Sequence, residues 1–179
     1  MEIHSSIVVA RRVLALLAVS SRAIQPTAKV DSWVEHNQIE QLFSNDERRF
    51  FSYLGTPDPQ TVINFSWRSE AVVALLWALG GFQSMPSLAE QASLAELPFV
   101  GDAFAQPEVF VRNAKLRPLD ELVEMEDHLY HQHWRVRDAQ LLQRPTPAEL
   151  HAGVVIERRY ALSWLVGGCE DWDNVPTDT

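Results

Sequence analysis

Apolar residues in this chain recur at the three- and four-residue spacing of α-helices, and no stretch shows the strict alternation of a half-buried strand. Ten prolines, against only seven glycines, fall mostly between these periodic segments. Proline lacks a backbone donor and clashes with the preceding turn, so its placement punctuates a helical chain. The first helix is predicted over Ser6–Ile24, stopping short of Pro26. A weaker one follows over Asp31–Phe43. Ser44-Asn45-Asp46-Glu47 then supplies a start signal for Arg48–Leu54, which Gly55-Thr56-Pro57 ends. Ser66 reads as the N-cap of Trp67–Leu79, a run apolar on nearly every side and therefore a buried helix, with Gly80-Gly81 as its stop. Short helices are expected at Leu88–Glu96 and Pro107–Ala114. The longest runs from Pro118 to about Gln143, and the last covers Gly153–Val166 before Gly167-Gly168. The pattern predicts an all-α, single compact multi-helix domain over residues 1–179, built on the long helix (118–143) and two buried ones (67–79 and 153–166).

The long helix carries polar residues where its own periodicity calls for apolar ones. At about 100° per residue, Leu119, Val123, Tyr130, Trp134 and Leu141 fall on one side of an apolar arc and Leu122, Met125, Leu129 and Val136 on the other. Glu126, His133 and Arg137 lie between the two sets, so the wheel points them inward. The final helix repeats the theme: apolar residues surround it, while Glu157 and Arg158 interrupt them and Tyr160 adds a hydroxyl. Burying a charge costs several kcal/mol unless it is paired and hydrogen-bonded, so these groups require partners. Glu157 with Arg137 and Arg158 with Glu126 are natural pairings, with Arg68 and Glu70 of the 67–79 helix joining the same network. Two readings follow. The group is a buried ion-pair network that fixes helix register, or it is a polar pocket in which His133 acts as acid or base and Arg137 and Arg158 hold an anion.

The opposite face of the long helix bears Asp120, Glu124, Asp127, His128, His131, Arg135 and Asp138, a solvated stripe. His128 and His131 share that face and carry the chemistry of a metal pair, but His133 points away from both, so no three-ligand set forms and no metal or cofactor is expected. Cys169 is the only cysteine, with no partner for a disulfide or a thiolate metal site and an acidic neighbourhood that disfavours a reactive thiolate. The nucleotide, serine-hydrolase and zinc-protease motifs are absent. A net charge of −9 argues against nucleic acid, whose phosphates are bound by clustered Lys and Arg. Arg11 and Arg12 break the first apolar run well below membrane-spanning length and sit where a secretory signal would be apolar. The expectation is a cytoplasmic protein. The acidic tail, with Trp172 and Val175 as packing anchors, reaches toward basic groups such as Arg68 or Arg158. Trp33 and Trp172 sit in polar surroundings, where an interface residue would also sit. The oligomeric state stays open.

Four ordered stretches carry a resemblance. Trp67-Arg68-Ser69-Glu70-Ala71 through Leu76-Trp77-Ala78-Leu79-Gly80 comes first, then His133-Trp134-x-x-Arg137-Asp138-Ala139, then Glu157-Arg158-x-Tyr160-Ala161-Leu162-x-Trp164-Leu165. Trp172-Asp173-x-Val175-x-Thr177-Asp178-Thr179 closes the chain. Together they resemble a family of bacterial proteins known only as a domain of unknown function, over most of the chain. The resemblance implies a compact helical domain, bacterial and cytoplasmic, with an ordered C-terminal motif; it implies no activity, substrate or cofactor. With catalytic signatures missing and the charge strongly negative, the leading expectation is a non-enzymatic module whose acidic surface recruits a basic protein partner. The alternative is an enzyme or small-anion sensor around His133 and Arg137.

Overall fold

The computed structural model describes residues 3–178. Eight α-helices hold about two thirds of the chain and no strand occurs among the described residues. They are α1 (Ser6–Ile24), α2 (Ala28–His36), α3 (Asn45–Phe51), α4 (Pro59–Ala78), α5 (Val100–Ala105), α6 (Pro107–Asn113), α7 (Leu119–Leu141) and α8 (Ala152–Gly167). The packing order follows from how much of each helix is apolar. α1 packs on α4, α4 on α8, and α8 on α7. α4 is buried continuously from Ser69 to Ala78, as its all-round apolar sequence requires, and α8 buries both flanks because it sits between α4 and α7. α7, at the end of the row, buries one stripe of Leu122, Leu129, His133, Val136 and Ala139. Fully burying each leucine of that stripe contributes about 1.5–3 kcal/mol.

Local signals set most boundaries. Ser44 and Glu47 close a reciprocal capping box at the start of α3, and Gly168, in left-handed backbone (φ 60°), ends α8. α4 starts earlier than the Ser66 cap suggests. Asp58 accepts from the Thr61 N–H at 3.0 Å with Pro59 in the first turn, and the Ser66 hydroxyl instead donates back to the Ile63 carbonyl at 2.7 Å. The segment expected as one helix over 31–43 is two pieces. Thr27 caps α2, and left-handed Gln38 (φ 54°) separates it from a 3-10 turn at Ile39–Leu42.

The helix expected over 88–96 reduces to a 3-10 turn at Leu94–Glu96. Its flanking backbone is engaged elsewhere: the Ala92 N–H donates to Glu70, the Leu88 carbonyl accepts from His151, and the Pro86 and Ser87 carbonyls accept from Arg158. α5 lacked a sequence signal and begins after left-handed Phe99. The C-terminal segment docks through buried Trp172 and Val175, in a 3-10 turn over Trp172–Asn174. No helix among the described residues is long and apolar enough to cross a membrane.

Candidate functional site

Four successive residues of α8 face different directions because each is turned about 100° from the last, and each meets a different partner. Arg158 points at α4. Its Nε donates to Glu70 Oε2 at 2.9 Å and Nη2 lies 2.8 Å from the same oxygen, with both side chains at 0% exposure. Nη1 donates to the carbonyls of Pro86 (2.6 Å) and Ser87 (3.0 Å), and Glu70 Oε1 accepts from the Ala92 N–H at 2.7 Å. One buried pair thus pins the irregular 86–92 strap to α4 and α8. Glu157 meets Arg68 at 3.0 Å; burial pushes its carboxyl up while the guanidinium opposes the shift. Tyr160 donates to the Trp172 carbonyl, and burial raises its phenol above the ordinary value.

Arg159 turns the other way, toward α7. Its Nη1 lies 2.7 Å from His133 Nδ1, and since a guanidinium only donates, the imidazole accepts and is neutral with its proton on Nε2. Burial first, then Arg159 and Arg137, lower the His133 pKa to about 4. Arg159 also donates to the Thr177 and Asp178 carbonyls at 3.0 and 3.2 Å and lies 4.8 Å over the Tyr130 ring. The C-terminal segment is therefore held by a residue of α8 and, through it, by α7.

The predicted site residues do not form one group. Arg68, Glu157 and Tyr160 gather around Trp172; Glu70 and Arg158 form the fully buried pair; His133 sits with Arg159 at 6% exposure. Arg137 is exposed and donates to Gln140 at 3.2 Å, and Glu126 accepts from the Ser163 hydroxyl at 2.8 Å. Neither suggested pairing, Glu157 with Arg137 or Arg158 with Glu126, is formed. His133 and Arg137 lie at different depths because α8 covers only the first.

Sequence reasoning missed two nodes. Arg12 donates to both oxygens of Glu47 at 3.0 Å, buried between α1 and α3, and lies 5.1 Å over the Trp172 ring. The signal was present, since one of two adjacent arginines in an apolar helix has to point inward. Arg159 was the other omission; on a helix buried on most sides it too needed a partner. His128 and His131 are exposed, and no cluster of three potential metal ligands occurs among the described residues. Trp172 is core rather than surface, and Trp33, half-buried, donates its indole N–H to the Phe104 carbonyl at 3.0 Å.

Two clefts lie beside these groups. One of about 510 Å³ lies between α3, α4 and Trp172, but its charged groups are engaged: Arg68 pairs with Glu157, Arg49 with Asp46, Asp58 caps α4 and Asp173 accepts from the Asp46 N–H at 3.1 Å. The second, about 620 Å³ beside α2 and residues 91–95, is lined by hydroxyl, amide and apolar side chains and by no titratable one. Neither offers an activated acid, base or nucleophile.

Fold and site together define an all-helical protein whose buried cations, Arg12, Arg158 and Arg159, are each hydrogen-bonded within the fold. Within that class, the chain belongs to the family described as "Domain of unknown function (DUF4272)", which matches residues 1–175. No curated protein and no solved structure matches it.

Proposed function

We propose that this protein is a non-enzymatic interaction module that recruits a basic protein partner through its acidic surface. The observation that carries the proposal is the separation of charge by depth. Three arginines (Arg12, Arg158, Arg159) are buried against two glutamates (Glu47, Glu70), so the rest of the chain carries −10 rather than −9. On α7, Asp120, Glu124 and Asp127 are exposed, and neither Asp120 nor Glu124 has an ion-pair partner among the described residues. Such a field attracts positively charged surfaces and repels nucleic acid. A lone free cysteine fits a reducing, cytoplasmic setting.

The anion-sensor alternative lacks a comparable support, because its two central residues, His133 and Arg137, are buried and exposed respectively. The test is binding of a fluorescent lysine-rich peptide to the purified protein at 50 mM and 300 mM salt. The proposal expects affinity that falls several-fold across that range as screening shortens the reach of the field, roughly 14 Å to 6 Å. Absence of binding at low salt, or affinity indifferent to salt, refutes it.

A further inference from the structure

We infer that the outward face of α7 is the docking surface, and that its occupant is an amphipathic, lysine- or arginine-bearing segment of a partner protein. This rests on the acidic-module reading above and gives that reading a location. Leu119, Val123, Tyr130, Trp134 and Leu141 lie within a 60° arc of α7, at 100° per residue. α8 reaches this arc only with Arg159, over one face of the Tyr130 ring, so Leu119 is 48% exposed, Tyr130 38%, Trp134 53% and Leu141 76%, while Val123 is half-buried against the core. Scattered exposed apolar residues are ordinary; a ribbon along one helix face is a docking feature, and Trp and Tyr are the side chains that anchor interfaces. From Leu119 to Leu141 it runs about 33 Å at the helical rise, long enough for five to six turns of a partner helix.

Charge selects the occupant. Asp120, Asp127 and Asp138 form the next row on the helix, with Glu124 beyond them, so the ribbon is bordered along its length by carboxylates. Arg137 is the one cation that α7 itself places within the ribbon. An apolar stripe with a cationic border satisfies both features at once. An anionic membrane surface would meet the carboxylates with like charge, and two copies of the chain in antiparallel contact would set their acidic rows on the same side.

The test uses an 18-residue labelled peptide of leucine and lysine, patterned to form an amphipathic helix, with a leucine–glutamate peptide as control. Anisotropy with the full chain should show binding of the lysine peptide alone. Trp134→Ala should weaken it by tenfold or more, and Asp120→Asn with Asp127→Asn several-fold. All three positions are exposed, and urea unfolding confirms that the variants fold. Lysine-peptide affinity unchanged in both variants overturns the α7 assignment while the acidic-module reading stands; no binding to the unmodified chain removes both. A dimer by sedimentation that Trp134→Ala converts to monomer assigns the face to a second copy and overturns the inference.

Discussion

Replacing Glu70 with glutamine isolates the most consequential pair in the structure. The substitution barely changes shape, but it leaves the Arg158 guanidinium charged at a site with no solvent access. Glu70 now accepts from two donors, Arg158 Nε on one oxygen and the Ala92 N–H on the other, and its first oxygen also lies in ion-pair contact with Arg158 Nη2. Glutamine keeps one acceptor oxygen and turns an NH2 group toward at least one of those donors. The Pro86 and Ser87 carbonyls still hold Nη1, so the cation is partly solvated by dipoles but has no counterion. Breaking one side of a buried pair costs about 3–5 kcal/mol, a large part of the roughly 5–15 kcal/mol that holds a domain of ordinary stability.

Adding Arg158→Met removes the stranded charge and fills most of its volume with a flexible apolar chain. The double variant should therefore be more stable than the sum of the two single losses predicts, by about 2 kcal/mol or more. Urea unfolding at pH 7, followed by tryptophan fluorescence, supplies the four stabilities. Hydrogen exchange at Ala92 reports whether the 86–92 strap lets go first. A Glu70→Gln variant within 1 kcal/mol of the parent, or strictly additive losses, would refute the assignment of this pair as the strap's anchor.

Two further outcomes are expected. His133 binds its proton at about 4 in the folded chain against an unfolded value near 6.5, so the neutral ring is the folded form. The associated stability is fully present above 6.5 and is lost as pH falls toward 4. Linkage and partial solvent screening put it at about 2–3 kcal/mol. Urea midpoints should fall between pH 6.5 and 5 in the parent and less steeply in His133→Gln; parallel slopes would sink the idea. Trp172 is buried against Tyr160 and Trp164 and under Arg12 and Arg68, so Trp172→Ala should cost about 3–5 kcal/mol, and Trp172→Phe less than half of that. In Trp172→Phe the tail should stay protected from limited proteolysis; cleavage as fast as in Trp172→Ala would show that the indole is not what docks it.

By itself, the sequence determined what depends on neighbours along the chain. Period and caps located α1, α6, α7 and α8 to within a residue or two, because those signals act inside one turn of helix. The wheel of the long helix turned Glu126, His133 and Arg137 inward, and of these His133 is buried, Glu126 half-buried and Arg137 exposed. The sequence misled where two local signals competed: Asp58-Pro59 and Ser66 both start a helix, and the choice went to the earlier one because the intervening residues also pack.

Only the tertiary structure decided which inward group meets which. A helical wheel gives direction about its own axis and is silent on the neighbour in that direction, so Arg158 found Glu70, and Glu157 found Arg68. The same silence explains Tyr130, Trp134 and Leu141, whose apolar character read as core. A helix at the end of a row has one neighbour, and one neighbour covers one stripe. The 86–92 strap is the remaining case: its backbone groups are taken by Glu70, Arg158 and His151, residues distant in sequence, and no local pattern encodes that demand.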